Sequence, residues 1–241
     1  MIISQRLLHH LCPYGNQPLM DGVTQYFNKY SDKYGVNTFL RIAHFLAQAA
    51  EETAGMRTLV EYATGDEYEG RQDLGNVNPG DGRRYKGRGI FQITGRANYR
   101  KLGQELGYDL ENNPELAATP EVAVQTALRY WTDHGLSPYA DGDQVVEITR
   151  AINGGTNGLT DRENFLAQAK NLMELPDGIG IGDTGVEVTK IQQALVAHHI
   201  PVGVDGQYGP GTATGVKAFQ KYIGVTQTGV VDDATAKALN S

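Results

Sequence analysis

Cysteine is almost absent from this chain: Cys12 is the only one among 241 residues. One thiol cannot form an internal disulfide, so the fold must rest on its core, and synthesis in a reducing compartment is expected. Long hydrophobic runs are missing too, with no stretch approaching the roughly 18 apolar residues of a membrane span. The opening residues, Met1-Ile2-Ile3-Ser4-Gln5-Arg6-Leu7-Leu8, carry neither a basic leader nor an apolar run of signal-peptide length. The expectation is a protein made in a cytoplasm, whose action outside it needs a separate exit route. Metal-ligand spacing is also lacking. The six histidines are His9, His10, His44, His134, His198 and His199, with no second pair placed to share a zinc ion, so no metal or other cofactor is expected. Positive charge is in deficit, 21 cations against 28 anions for a net −7, which argues against nucleic acid or anionic membrane as partner.

What is present is a soluble, globular composition, 40% hydrophobic and 20% charged, long enough for one substantial core and a small second domain. Pro176, Gly178, Gly180 and Gly182 break the pattern and predict a linker over 176–182, between domains at 1–175 and 183–241. In the first domain, apolar periodicity predicts helices over 26–34, 38–52, 99–106, 121–134, 144–152 and 161–172. Between 62 and 89 stand seven glycines, Gly65, Gly70, Gly75, Gly80, Gly82, Gly87 and Gly89, too many for a regular helix. That stretch reads as a long irregular loop with short strands, and a loop of this length in a compact domain is usually functional. Arg83, Arg84, Lys86, Arg88, Arg96, Arg100 and Lys101 follow one another with no acidic residue among them. They form either a solvated basic face or a positive wall beside an acidic substrate. In the second domain, Val188 to Leu195 resembles Val216 to Lys221, and Val204-Asp205-Gly206 with Thr212 resembles Thr228-Gly229-Val230 with Thr235. Each half reads as an amphipathic helix, a glycine turn and a threonine cap.

One acid stands out. Phe39, Ile42, Phe45, Leu46 and Ala49 define the buried stripe of the helix predicted at 38–52. Glu52, seven residues after Phe45, returns to that stripe, whereas Glu51 falls off it. A carboxylate anion there is costly, and a general acid needs a carboxyl that keeps its proton. The plainer alternative is a glutamate at a helix end that reaches solvent or pairs with Arg57. Glu61, Glu67 and Glu69 follow closely as second carboxylates, and two carboxyls flanking a glycosidic bond make a hydrolase.

Three stretches resemble glycoside hydrolase family 19, the chitinases and the phage endolysins of the same lysozyme-like fold. They are Phe45-Leu46-Ala47-Gln48-Ala49-Ala50-Glu51-Glu52-Thr53-Ala54-Gly55, then Tyr85-Lys86-Gly87-Arg88-Gly89-Ile90-Phe91-Gln92-Ile93-Thr94-Gly95-Arg96-Ala97-Asn98-Tyr99, then Ala151-Ile152-Asn153-Gly154-Gly155 with Asp161-Arg162. The resemblance implies Glu52 as general acid, Glu61 as the base that activates water, and Thr94 as a hydroxyl that helps hold this water. It places Gln92, Asn98, Asn153 and Arg162 in the cleft, binding sugar or orienting the carboxylates, with Glu69 as a rival base or auxiliary carboxylate. An inverting mechanism is implied, with the carboxyls roughly 6.5–9.5 Å apart. The family commonly has histidine before its acid, where this chain has Glu51.

The C-terminal part resembles the three-helix peptidoglycan-binding domain of wall-lytic enzymes, through Ile191-Gln192, Val204-Asp205-Gly206-Gln207-Tyr208-Gly209, Ala218-Phe219-Gln220 and Thr228-Gly229-Val230-Val231. Asp205 and Tyr208 are its candidate wall contacts. The resulting expectation is a mainly α protein, with a lysozyme-like catalytic domain followed by a small binding domain. It would act as a monomeric endolysin hydrolysing the β-1,4 bonds of peptidoglycan, made in the host bacterium and released through a holin-type pore. The alternatives are a chitinase acting on poly-N-acetylglucosamine and a non-catalytic wall-binding protein.

Overall fold

The computed structural model describes residues 3–174 and 178–240. The expected linker at 176–182 therefore begins on residues 176 and 177, outside the described residues. The chain divides into two compact units, Met1–Leu172 and Met173–Ser241. Both are helical, with no β-strand beyond isolated bridges among the described residues. No helix is long and apolar enough to cross a membrane among those residues.

The first unit contains α1 (Gln5–Leu11), α2 (Gln17–Tyr30), α3 (Phe39–Glu52), α4 (Asp81–Arg84), α5 (Arg96–Leu106), α6 (Pro120–Asp133), α7 (Ser137–Asp141), α8 (Val145–Asn153) and α9 (Leu159–Glu174). Its centre is α3, capped by the Thr38 side chain, which accepts from Arg41 N. Ile42, Phe45, Leu46 and Ala49 are fully buried, so the apolar stripe is the core face. The Phe45 ring packs on Phe27 of α2 at 5.1 Å, Trp131 of α6 at 5.7 Å and Phe91 at 5.5 Å between centroids. Contacts of this kind add a fraction of a kcal/mol to about 1.5 kcal/mol each beyond area burial. Helices α2 and α6 touch where Gly22 meets Pro120, and a β-carbon at Gly22 would collide with the proline ring.

Two expectations change. An additional helix, α1, precedes α2, which begins at Gln17 and not near residue 26. Asn16 caps α2 by accepting from Leu19 N, a signal that lies before the apolar periodicity becomes regular. The 62–89 loop contains no strands: it folds as 3₁₀ turns at Asp66–Tyr68 and Gln72–Leu74, followed by α4. Gly65, Gly70, Gly75 and Gly80 adopt left-handed backbone there and prevent extension. Side chains bond the loop to itself instead. Asn76 Nδ2 donates to Tyr68 O, and Asn76 Oδ1 accepts from Arg96 N. Asp81, 2% exposed, accepts from Val77 N and Asn78 N and is ion-paired with Arg96, which holds its carboxyl below the usual range.

The second unit contains α10 (Val186–Ala197), α11 (Pro210–Tyr222) and α12 (Asp233–Leu239) around Val188, Leu195, Val216, Phe219 and Leu239. The internal repeat has a physical basis. Buried Gln192 donates to Asp205 Oδ1, Gln207 O and Thr212 Oγ1, and accepts from Asp205 N and Gly206 N. Buried Gln220 does the same in the second half, donating to Thr228 Oγ1, Val230 O and Thr235 Oγ1, and accepting from Gly229 N. Each amide ties a turn to the helix before it, which explains why both halves keep glutamine, glycine and threonine.

Candidate active site

The last turn of α3 carries Gln48, Glu51 and Glu52. The Glu52 side chain is 17% exposed, and its Oε1 accepts from Arg162 Nη2 at 2.5 Å. Its partner is therefore Arg162, on α9, and not Arg57. Arg162 is itself 2% exposed and donates to Gln48 Oε1 and Asn157 O as well. Gln48 Nε2 passes the connection to Thr149 Oγ1 of α8 at 3.2 Å. Gln48 and Thr149 were not singled out in the sequence, although a glutamine on the apolar stripe four residues before Glu52 marks a polar group that needs buried partners. Glu51 packs on Gly158, where any β-carbon would strike its carboxylate. Burial pushes the Glu51 carboxyl up, opposed by the charge of Arg162.

After α3 the chain reverses through Ala54, Gly55 and Met56, all with left-handed backbone. Thr53 Oγ1 secures the reversal by donating to Ala49 O and accepting from Met56 N. This brings Val60 alongside Arg88 in an antiparallel bridge, and Arg88 alongside Ile93 in another. Glu61 N donates to Gly87 O, and Glu61 Oε2 accepts from Tyr68 OH at 3.1 Å. Burial and this bond push the Tyr68 phenol up to about 12. Glu61 Oε1 and Gln92 Oε1 are buried acceptors with no hydrogen-bond partner among the described residues. The two side chains converge over Gly87, where an added β-carbon would lie 2.5 Å from Gln92 Oε1 and 2.9 Å from Glu61 Oε2. Gln92, at φ 47°, is held by Nε2 donating to Gly89 O. The arrangement suits a small group with hydrogens to donate.

The other carboxylates differ. Glu67 is exposed, and Glu69 is engaged through both oxygens, Oε1 accepting from Gly80 N and Oε2 from Gly82 N. Glu69 thus fastens the start of α4 to the end of the Asp66–Tyr68 turn, a structural employment that a base or sugar contact would have to break.

Gln92, Thr94 and Asn98 meet on the wall of a cavity of about 350 Å³, together with Phe91, Lys101 and Tyr130. Thr94 Oγ1 donates to Gln92 O, and Asn98 Nδ2 donates to Thr94 O. Neither glutamate lines this cavity, but Glu61 adjoins a residue that does, and the charge of Glu52 acts on another. Glu61 meets Gln92 over Gly87, and burial together with the Glu52 charge holds the Tyr130 phenol above its ordinary value. Asn153 is exposed at the end of α8 and is not among the lining residues.

In the second unit the candidate wall contacts prove to be built into the fold. Tyr208 is 2% exposed with its hydroxyl donated to Gly229 O, so it is a core residue and presents no surface to a polymer. Asp205 is exposed, but its Oδ1 accepts from Gln207 N and Gln192 Nε2, which hold its carboxyl below the usual range.

Comparison with known proteins identifies the family of each unit. The class I chitinase family matches residues 24–151, and the peptidoglycan binding domain family matches residues 184–239. A glycosyl hydrolase family 19 domain-containing protein of Haemophilus influenzae is 30% identical over 193 residues, covering 67% of this chain and 92% of its own length. Chitinase 6 of Oryza sativa is 40% identical over 74 residues, 30% of this chain and only 27% of that protein. The crystal structure of chitinase C from Streptomyces griseus superposes with a TM-score of 0.55 at 25% identity, covering 71% of this chain and 76% of that one.

Proposed function

Because the chain belongs to glycoside hydrolase family 19 and carries a peptidoglycan-binding domain, we propose that it is an endolysin that cleaves the β-1,4 bonds of peptidoglycan with inversion. Glu52 is the general acid and Glu61 the base. The observation that carries this reading is that, among the described residues, each glutamate is fixed through one oxygen only. Arg162 holds Glu52 Oε1, and Tyr68 holds Glu61 Oε2. The second oxygen of each is left for chemistry: Glu52 Oε2 to protonate the leaving glycosidic oxygen, Glu61 Oε1 to take a proton from the attacking water. Gln92, which converges with Glu61 over Gly87, and Thr94, which shares the cavity wall with Gln92, are assigned to orient that water and the sugar. The appended domain favours peptidoglycan, since a tether raises local substrate concentration only on the polymer it recognises. In this reading the protein is made in the host bacterium and reaches the wall through a holin-type pore. The chitinase names of the matching plant and Streptomyces proteins favour a second reading, the same chemistry on poly-N-acetylglucosamine.

Two experiments test the proposal. NMR of an early reaction mixture should show the α-anomer as the first product, because water attacks from the face opposite the leaving group. A β-anomer formed first would remove the roles given to Glu61 and Thr94. Mass spectrometry of digested peptidoglycan should show new hydrated reducing ends. Anhydro ends, or no cleavage beside rapid cleavage of chitin, would overturn the endolysin reading.

Gly87→Ala separates the water site from the scaffold. Gly87 has no left-handed backbone, so alanine is conformationally allowed, but its methyl would enter the space between Gln92 and Glu61. Turnover should fall by roughly 10²-fold through misplacement of the base, with thermal unfolding little changed. Normal turnover in the folded variant would mean that the space over Gly87 is not used.

A further inference from the structure

The seven cations between 83 and 101 do not form one basic face. Arg83 pairs with Asp66, Arg96 with Asp81 and Glu111, and Arg100 with Glu111. Arg84 donates to Asn112 O, Lys86 to the carbonyls of Glu61 and Ala63, and Arg88 to Arg84 O and Tyr99 Oη. Six are therefore committed to building the loop. Lys101 is the exception: it is exposed and has no ion pair or hydrogen bond among the described residues.

Its position is specific. On α5, residues 98, 101 and 102 share one face at spacings of three and four, and Asn98, Lys101 and Leu102 all line the cavity that holds Thr94. The other charged lining residue, Asp133, is paired with Arg129 at 2.9 Å, a guanidinium that also meets Glu105 at 3.4 Å. His134 stacks on Tyr130 at 3.8 Å between centroids, with Nδ1 at Tyr130 O. The rest of the wall is largely apolar, including Leu74, Phe91 and Ile93. Lys101 is thus the charged lining residue without an ion pair among the described residues, and it is positive, in a protein whose net charge is −7.

We propose that Lys101 is a specificity residue that receives a carboxylate carried as a side arm on the glycan strand. This rests on the peptidoglycan reading and sharpens it. Chitin is neutral, whereas alternate sugars of peptidoglycan bear a lactyl group extended by an acidic peptide. A glycan seated against Thr94 and Asn98 would bring such an arm to Lys101, where an ammonium on a flexible stem can meet a carboxylate of variable position.

The test compares the full-length protein with Lys101→Met and Lys101→Arg. The readout is the ratio of kcat/KM on carboxymethyl chitin to that on neutral glycol chitin, together with rates on peptidoglycan. Lys101→Met should lower the ratio by roughly fivefold, the scale of one well-placed solvent-accessible ion pair. Lys101→Arg should preserve it, and added salt should lower the wild-type ratio toward that of the methionine variant. A ratio unchanged in Lys101→Met would overturn the proposal, as would one that salt does not affect. Failure of the wild type to cut peptidoglycan would sink the substrate reading separately, because the chitin pair still judges Lys101. Glycan strands stripped of peptide by an amidase then locate the arm. The amidase removes the peptide and frees the lactyl carboxyl from its amide. A Lys101→Met defect kept on stripped strands shows that a carboxylate at the lactyl position reaches Lys101, and a defect confined to intact strands assigns the peptide carboxylates.

Discussion

Glu52→Gln should abolish turnover, by roughly 10²- to 10⁴-fold on the usual scale for a positioned general acid, while leaving the protein folded. The amide has the size of the carboxyl, and its oxygen can still accept from Arg162 Nη2, so Arg162 keeps its bonds to Gln48 and Asn157. What the amide cannot do is hand a proton to the leaving oxygen. Loss of activity with an unchanged melting curve is the expected pair of results. Substantial activity in the folded variant would remove Glu52 from the reaction, and unfolding would show that the carboxylate serves Arg162 more than the substrate. Glu69→Gln provides the contrast. An amide offers one acceptor where Glu69 uses two, for Gly80 N and Gly82 N, so damage there should appear first as loosening of the 62–89 loop.

These two glutamates show what was legible in the sequence. Helix α3 was readable because burial of one face forces a periodicity, and Glu52 was conspicuous because it breaks the chemistry of that periodicity without breaking its spacing. The second unit was readable for a related reason. Gln192 and Gln220 each bind a turn in the same way, so two halves obeying one set of bonds had to keep similar residues. The 62–89 loop obeys no period. Its form comes from Asn76, Asp81 and Glu69 reaching particular backbone groups, and such bonds depend on a three-dimensional path that composition does not encode. For the same reason the basic stretch looked uniform, although among the described residues six of its members have partners and one does not. Tyr208 misled in the opposite direction: a tyrosine in a glycine turn suggests a surface contact, yet its hydroxyl closes a bond to Gly229 inside the core. The role of Arg162 came only through resemblance, because 110 residues separate it from Glu52 and no local pattern connects them.

Arg162→Met should cost both stability and activity, and the balance between them tests how the acid is held. The guanidinium is 2% exposed and binds Glu52, Gln48 and the Asn157 carbonyl. Methionine fills similar volume but donates nothing, so it strands a largely buried carboxylate and the Gln48 oxygen. Removing one partner of a buried ion pair costs about 3–5 kcal/mol. With Glu52 still 17% exposed, some water can replace the lost donor, which puts the expectation near the lower figure. For a unit of this size the melting temperature should fall by roughly 10 °C. Turnover should fall as well, since Glu52 loses the contact that fixes one oxygen and aims the other. Arg162→Lys should recover part of the stability but little of the activity, because a point charge cannot span Glu52 and Gln48 as the planar fork does. The double variant Glu52→Gln, Arg162→Met is the discriminating measurement. With a neutral amide at 52, loss of the arginine strands no charge, so the stability cost of Arg162→Met should shrink markedly in that background. An equal cost in both backgrounds would mean that Arg162 acts through Gln48 and Asn157 alone, and that Glu52 takes its position from α3 without help from α9.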